Sequence, residues 1–331
     1  MIASRLAVVS PQLQGFRFDV AAASLFSDLS RKKIKEIIDA GGAYCNKRRI
    51  LIAKQQVRLG DKIELFWESR QQSASDGAPG SLVSHGNVAA RAEKLQQAIL
   101  FECDDFVVIN KPAGIPSQAT LISSTDTILH ALHASNPSRF PLAHLHLVHR
   151  LDKDTSGIMM IARNKNMQRK IEDAFRDGCV KKEYEALCFC IPKSSEGKIS
   201  YPIAPDRSRK NAWMPVFGAR RPADAKLAET DYRVREVFRK IQASAITCFP
   251  ATGRTHQIRV HLMAIGCPIL GDKTYSNNIM GHSAAQMALR QMLHASRLQL
   301  QIPGVGNFQW VAPLPSDFTE CELALRNMNE V

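Results

Sequence analysis

In the first fifth of the chain, apolar residues follow two spacings. Over 22–29 and 33–40 they recur at helical intervals, and Ser30 stands where the second helix needs a cap. Gly41-Gly42 ends that helix. Tyr44-Cys45-Asn46 reads as a short strand running into a turn that holds Lys47-Arg48-Arg49. Residues 57–65 read as a turn at Gly60-Asp61 and then an alternating strand. Residues 16–67 thus predict a small α+β module. Over 68–94 the pattern disappears, and Ser, Gln, Gly and Ala around Gly77-Ala78-Pro79-Gly80 predict a flexible linker.

From 95 to 331 the pattern returns as a main domain. Strands are expected at 106–109, 142–148, 158–162, 183–190, 230–237, 243–249 and 298–302, and helices at 166–176, 258–264 and 284–295. Many strands, few helices and no regular βαβ rhythm predict an α+β fold with a mixed, mostly antiparallel sheet. The chain shows no internal repeat and neither a phosphate-loop nor a dinucleotide glycine pattern.

Charge narrows the class. The formal charge is +13 with 45% apolar residues, which describes a globular protein with a polyanionic partner, nucleic acid first. Residues 1–67 carry 12 Lys/Arg against 6 Asp/Glu, so nearly half the excess sits in the small module. The eight cysteines form no Cys-x-x-Cys pair, which suits buried thiols in a reducing cytosol. No apolar run reaches 18 residues and the N-terminus has no continuous apolar signal core, so the expected location is cytoplasmic, with no membrane contact.

Candidate chemistry gathers in a few stretches. Arg150, Asp152, Lys153 and Asp154 lie between two apolar segments, where charge is costly unless it is paired or used. A neighbouring cation favours the charged form of a carboxylate. The same composition also describes a structural ion-pair turn. In 252–262, a glycine turn leads to Arg254, His256 and Arg259 at the start of a half-buried helix, and an arginine fork suits a carboxylate. His256 and His261 would not share a helix face, and His144 and His146 have no Cys or carboxylate at ligand spacing, so no metal site is expected. Tyr184 sits on a strand with charged flanks, and Lys111-Pro112-Ala113-Gly114 forms a rigid turn after a strand. Residues 207–226 interleave Arg207, Arg209, Lys210, Arg220, Arg221 and Lys226 with Trp213 and Phe217, a composition that can grip phosphates and stack bases.

Taken in order, these stretches resemble one family. His149-Arg150-Leu151-Asp152-x-Asp154-Thr155-Ser156-Gly157 resembles the signature of the RluA-type pseudouridine synthases. So do Asn110-Lys111-Pro112-x-Gly114, Lys182-x-Tyr184-x-Ala186, Lys226-x-Ala228-x-Thr230, Gly253-Arg254-Thr255-His256-Gln257-Ile258-Arg259-x-His261, Gly271-Asp272-x-x-Tyr275 and Leu293-His294-Ala295. Ser276 stands where the family usually has Gly. Residues 16–67 are similar to a ribosomal protein S4-like RNA-binding domain through Arg31-Lys32, Gly41-Gly42, Asn46 and Gly60-Asp61.

The resemblance implies a pseudouridine synthase catalytic domain at 95–331, with flanking helices and a central cleft. It implies isomerisation of uridine to pseudouridine in structured RNA, large-subunit ribosomal RNA first and transfer RNA second, with no cofactor. Asp152 takes the catalytic position, as nucleophile at C1′ or base at C2′. Arg259 pairs with that carboxylate. Tyr184 stacks on the target base and serves the C5 proton step. Arg150 fills the space the base vacates, and His149, Lys111, Arg254 and His256 contact substrate. Arg31, Lys32, Lys47, Arg48 and Arg49 are the expected RNA contacts of the small module. A monomer with no obligate protein partner is expected. Two other classes remain open here. One is a non-catalytic RNA-binding or ribosome-assembly factor. The other is a hydrolase that cuts a glycosidic bond with Asp152 and Asp154 as paired carboxylates.

Overall fold

The computed structural model describes residues 2–26, 29–39, 41–50, 52–68, 95–118, 127–209, 211–218, 221–276 and 287–330. The expected linker therefore lies, from residue 69 on, outside the described residues. The chain divides into two compact units, one of residues 1–88 and 118–130, the other of 89–117 and 131–331.

In the first unit, β1 (Ile2–Val8), β2 (Ala43–Cys45), β3 (Arg48–Arg49) and β4 (Lys62–Glu68) form an antiparallel sheet in the order β1-β4-β2-β3, with helices α1 (Phe18–Leu25) and α2 (Arg31–Asp39). The Ser30 hydroxyl accepts from Lys33 N at 3.2 Å and caps α2. Gly41, at φ +77°, closes the helix while Gly42 N reaches Ile37 O at 2.8 Å. Ile34, Ile37 and Ile38 of α2 are buried with Phe18, Ile63 and Leu65, one helical stripe against one strand face. Two boundaries differ from the sequence expectation. The sheet takes in Ile2–Val8, which pairs with β4 residue for residue. Arg48 and Arg49 sit on a returning strand, because Asn46 and Lys47 both adopt positive φ and alone make the turn.

The second unit holds β5 (Ile99–Glu102), β6 (Phe106–Lys111), β7 (His146–Leu147), β8 (Ser156–Ala162), β9 (Val180–Phe189), β10 (Glu196–Ile199), β11 (Ile203–Pro205), β12 (Trp213–Pro215), β13 (Thr230–Phe238), β14 (Ala243–Pro250), β15 (Leu293–Ile302) and β16 (Gly306–Val311). Its main sheet runs β10-β13-β14-β9-β15-β8-β6-β5, with β16 beside β15 and β7 beside β8. Among the described pairings, β15 with β8 is parallel and the others are antiparallel. β11 and β12 form a separate two-stranded ribbon. Further helices are α3 (Ile128–Ser135), α4 (Lys165–Arg176), α5 (Gln257–Ala264) and α6 (Ser316–Glu330). The fold is α+β with a mostly antiparallel sheet.

Two expected elements are absent, each for a physical reason. Over 142–148 only Leu145 and Val148 are buried, a spacing of three that a strand cannot satisfy. The segment forms a 3-10 turn (Leu142–His144) and the two-residue β7. The helix expected at 284–295 gives way to β15, and 284–286 lie outside the described residues. Met292 explains this: its carbonyl accepts from Leu187 N at 3.0 Å and its N–H reaches Leu270 O at 2.9 Å. Distant backbone takes the bonds a helix would have used.

Candidate active site

Residues 150–155 are a turn leading into β8, and five contacts fix it. The Ser117 hydroxyl donates to Leu151 O at 2.6 Å and accepts from Leu151 N at 3.1 Å. Lys111 Nζ donates to Pro112 O, Ile115 O and Lys153 O at 2.9, 3.0 and 3.1 Å. Arg290 donates to Asp154 O at 3.1 Å while its fork grips Asp317 at 2.6 and 2.9 Å. Gln291 Nε2 reaches Thr155 Oγ1 at 2.6 Å. Finally, Gly157 has φ +114°, and a Cβ there would stand 2.3 Å from Ala295 O. Only glycine lets β8 and β15 come this close.

The turn presents Asp152 to a cleft. Asp152 Oδ2 accepts from Arg259 Nη1 at 2.9 Å and lies 3.9 Å from His256 Nε2. Among the described residues, none hydrogen-bonds Oδ1. One oxygen is thus held while the other is presented. Arg259 is itself held from behind: Nε and Nη2 grip the buried Asp272 carboxylate at 2.7 and 2.9 Å, Nη2 also meets Thr274 Oγ1 at 3.2 Å, and the guanidinium lies 5.0 Å over the Tyr275 ring. Burial works against the arginine's charge, but Asp272 and then Asp152 outweigh it, so its pKa rises.

His256 caps α5 in a left-handed conformation, φ 56°. Its Nδ1 meets Tyr275 Oη at 2.8 Å, and that oxygen accepts from Trp213 N at 2.9 Å. Burial pushes the Tyr275 phenol up to about 12, so it keeps its proton. When Tyr275 donates that proton to Nδ1, the hydrogen of a neutral His256 sits on Nε2, facing Asp152. Burial also lowers the His256 pKa, Asp152 opposing.

β9 supplies the opposite wall. Tyr184, paired across to Cys248 and Ala295, shares a strand face with Lys182, and both line the cleft. Burial, and then the Asp152 charge, raise the Tyr184 phenol. Burial brings Lys182 down to about 8, and its Nζ donates to Thr252 O at 3.2 Å. Arg150 and Arg254 complete the rim. Among the described lining residues, four cations surround one carboxylate, Asp152.

The structure brings six of the eight expected catalytic and substrate residues to this cleft: Asp152, Tyr184, Arg259, Arg150, Arg254 and His256. Lys111 and His149 are corrections. The Lys111 side chain is fully buried, and its three donors serve three carbonyls, which leaves none for RNA. Burial pulls its ammonium down to about 7, while Asp154 and three carbonyl acceptors favour the charge. Its place is structural, tying the Pro112–Gly114 turn to the Asp152 loop. Lys111→Met should lower unfolding free energy by about 3 kcal/mol or more, since it leaves buried carbonyls unpaired. RNA affinity should stay unchanged; normal stability with weakened binding would restore the RNA-contact reading. His149 Nε2 accepts from Met160 N at 2.9 Å and its ring stacks on Phe175. Burial and then Lys182 push it to about 3, so it stays neutral and does not line the cleft. Asp154, the second carboxylate of a hydrolase, is also absent from the lining and lies on a turn, where strand alternation does not apply. Among the described residues no group of three His, Cys, Asp or Glu could hold a metal.

The residues missed by sequence reasoning are Asp272, Tyr275, Lys182 and Ser117. Asp272, Tyr275 and Lys182 belonged to matching motifs, but nothing in the sequence said what their side chains hold.

In the first unit, the expected RNA contacts divide. Arg31 donates to the buried Asp19 at 3.0 Å, alongside Arg17, while its side chain stays half exposed. Lys47, Arg48 and Arg49 are exposed on the β2–β3 hairpin, and Arg49 also lies against Gly41. The Lys32 side chain lies outside the described residues.

Residues 105–264 match the family model of RNA pseudouridylate synthases. The ribosomal large subunit pseudouridine synthase D of Haemophilus influenzae is 32% identical over 97% of this chain and 94% of its own length. The chain belongs to the RluA-type family of RNA pseudouridine synthases. The synthase D of Pasteurella multocida is 33% identical over 94% of this synthase and 92% of its own chain. The solved structure of human RNA pseudouridylate synthase domain containing 4 superposes with a TM-score of 0.59 at 29% identity, covering 73% of this synthase and 98% of the human chain. The protein is therefore an enzyme that isomerises uridine in RNA to pseudouridine. Among the described residues no helix is long and apolar enough to cross a membrane.

Proposed function

We propose that this synthase modifies uridine in large-subunit ribosomal RNA, with Asp152 as its catalytic group. One observation carries the reading: Asp152 is the only carboxylate among the described residues lining a cationic cleft, with one oxygen held by Arg259 and the other presented. The isomerisation breaks the N1–C1′ and C5–H bonds and makes the C5–C1′ and N1–H bonds; a single oxygen nucleophile at C1′, or a base at C2′, frees the uracil, and the proton leaving C5 is balanced by the one gained at N1. The target uridine leaves its stack at a cost of about a few kcal/mol, which Tyr184 offsets by stacking and Arg150 by occupying the gap. Tyr184 serves the C5 proton step. Arg254 and His256 contact the substrate, and Arg259 is a positioning residue. The relatives' printed names support the RNA class. We read the enzyme as a cytoplasmic monomer without an obligate protein partner.

The first unit acts as an S4-like RNA-binding module, through Lys47, Arg48 and Arg49 on its hairpin with Arg31 and Lys32. Each phosphate neutralised adds about 0.9 to the salt slope of binding on a duplex. Replacing Lys47, Arg48 and Arg49 together by Ala should flatten that slope by about 2 to 3. An unchanged slope in filter binding would reject the hairpin as the contact.

The function is tested by incubating the enzyme with a large-subunit ribosomal RNA transcript. Carbodiimide treatment followed by primer extension should show pseudouridine at defined positions, with no free uracil. Released uracil would establish hydrolysis instead, and an unmodified transcript beside modified transfer RNA would move the substrate.

A further inference from the structure

The β11–β12 ribbon ends in an apolar surface that the chemistry above does not use. Tyr201 and Phe217 meet edge to face, ring centroids 4.9 Å apart at 70°, yet remain 38% and 60% exposed. Ile203 pairs with Pro215 on one side and with Lys226 on the other, which sets Tyr201, Phe217 and Leu227 at the same end of the ribbon. Leu227 is 63% exposed. Single exposed apolar residues need no account, but two exposed rings packed on each other at the end of a short ribbon, with Leu227 on the neighbouring segment, do.

Three bonds, two at this end and one at the other, fix the ribbon to the active site. The buried His261, two residues beyond Arg259 on α5, joins Tyr201 O through Nε2 at 3.0 Å and Thr230 Oγ1 through Nδ1 at 2.9 Å. At the other end, Tyr275 Oη accepts from Trp213 N and lies 2.8 Å from Nδ1 of His256, which faces Asp152. Arg254, on the cleft rim, donates from Nε to Leu227 O at 2.9 Å. The apolar end thus stands at a set place relative to Asp152, next to exposed Lys226 and Arg254.

We propose that Tyr201 and Phe217 form a stacking subsite for an unpaired base adjoining the target uridine. This rests on the proposed function above. The occupant follows from charge and from stacking. The cations at the cleft attract a phosphate backbone, and a patch continuous with them lies on the path of the same strand. A uridine that leaves its stack also deprives its neighbour of a stacking partner, and aromatic faces beside the cleft can replace it.

The test uses the full-length enzyme and a large-subunit ribosomal RNA transcript. KM, kcat and filter-binding Kd are measured for wild type, the Tyr201→Ala/Phe217→Ala double variant, Phe217→Leu and Phe217→Trp. The double variant should raise KM and Kd about tenfold while kcat stays within about twofold, the size expected for loss of base–aromatic stacking. Phe217→Trp should match wild type and Phe217→Leu should not. Unchanged KM and Kd in the double variant would overturn the subsite, as would Leu performing as well as Trp, which would mean apolar contact alone. A wild-type enzyme that binds the transcript without modifying it would reject the assigned substrate, while the Kd series still decides the subsite.

Discussion

Asp152→Asn should cut the rate of pseudouridine formation by about 10⁴-fold or more, the scale seen when a covalent or proton-transfer group is removed. RNA affinity should stay within about twofold, since the contacts that hold the strand are elsewhere. The structure makes this an unusually clean substitution. Asn is the same size, and its side-chain oxygen can still accept from Arg259. The guanidinium does not become an orphaned charge either, because Asp272 grips it with two hydrogen bonds at 2.7 and 2.9 Å. Folding stability should therefore hardly move, and the loss should appear in single-turnover kinetics at saturating enzyme. A variant that turns over at the wild-type rate would remove Asp152 from the chemistry.

Arg259→Ala should behave differently. It frees Asp152 from its only hydrogen-bond donor among the described residues, and it leaves the fully buried Asp272 carboxylate without its cation. Breaking a buried pair from one side costs about 3–5 kcal/mol, so the melting temperature should fall. Loss of aim at the reacting centre should lower kcat by about 100-fold, with Kd for RNA little changed. A second variant separates the two effects. Arg259→Met with Asp272→Leu removes both charges and fills the space with apolar atoms, which often restores stability. The double variant should recover melting temperature and stay slow. If Arg259→Ala raised KM alone, with kcat intact, the arginine would be a substrate contact rather than a positioning residue.

Much of the fold was visible in the sequence, because buried strands and amphipathic helices leave periodic marks. The runs at 158–162, 183–190, 230–237 and 243–249 match β8, β9, β13 and β14 to within three residues at each end, and the helix expected at 166–176 is α4. The failures have separate causes. Over 142–148 an apolar run hides a 3-10 turn, and at Met292 the backbone is held by partners far away in sequence, and neither shows in a simple count of apolar positions. The same limit applied to the site. Asp152 and Arg259 are 107 residues apart, and only an ordered set of motifs suggested that they meet. Lys111 and His149 were misassigned because sequence reports that a side chain is polar, and says nothing of whether its hydrogen bonds are already spent on carbonyls or amides.

The close approach of Gly157 to Ala295 has a consequence for how this enzyme can change. A backbone-to-backbone touch sets the height of the Asp152 loop over the sheet, and it has no side-chain atoms to mutate. Ser117, Lys111, Arg290 and Gln291 hold the loop through their side chains, but exposed rim residues such as Arg254 can be exchanged without touching this contact, so long as position 157 stays bare. New RNA specificities can then evolve at the rim by substitution alone, with the chemistry carried along unaltered.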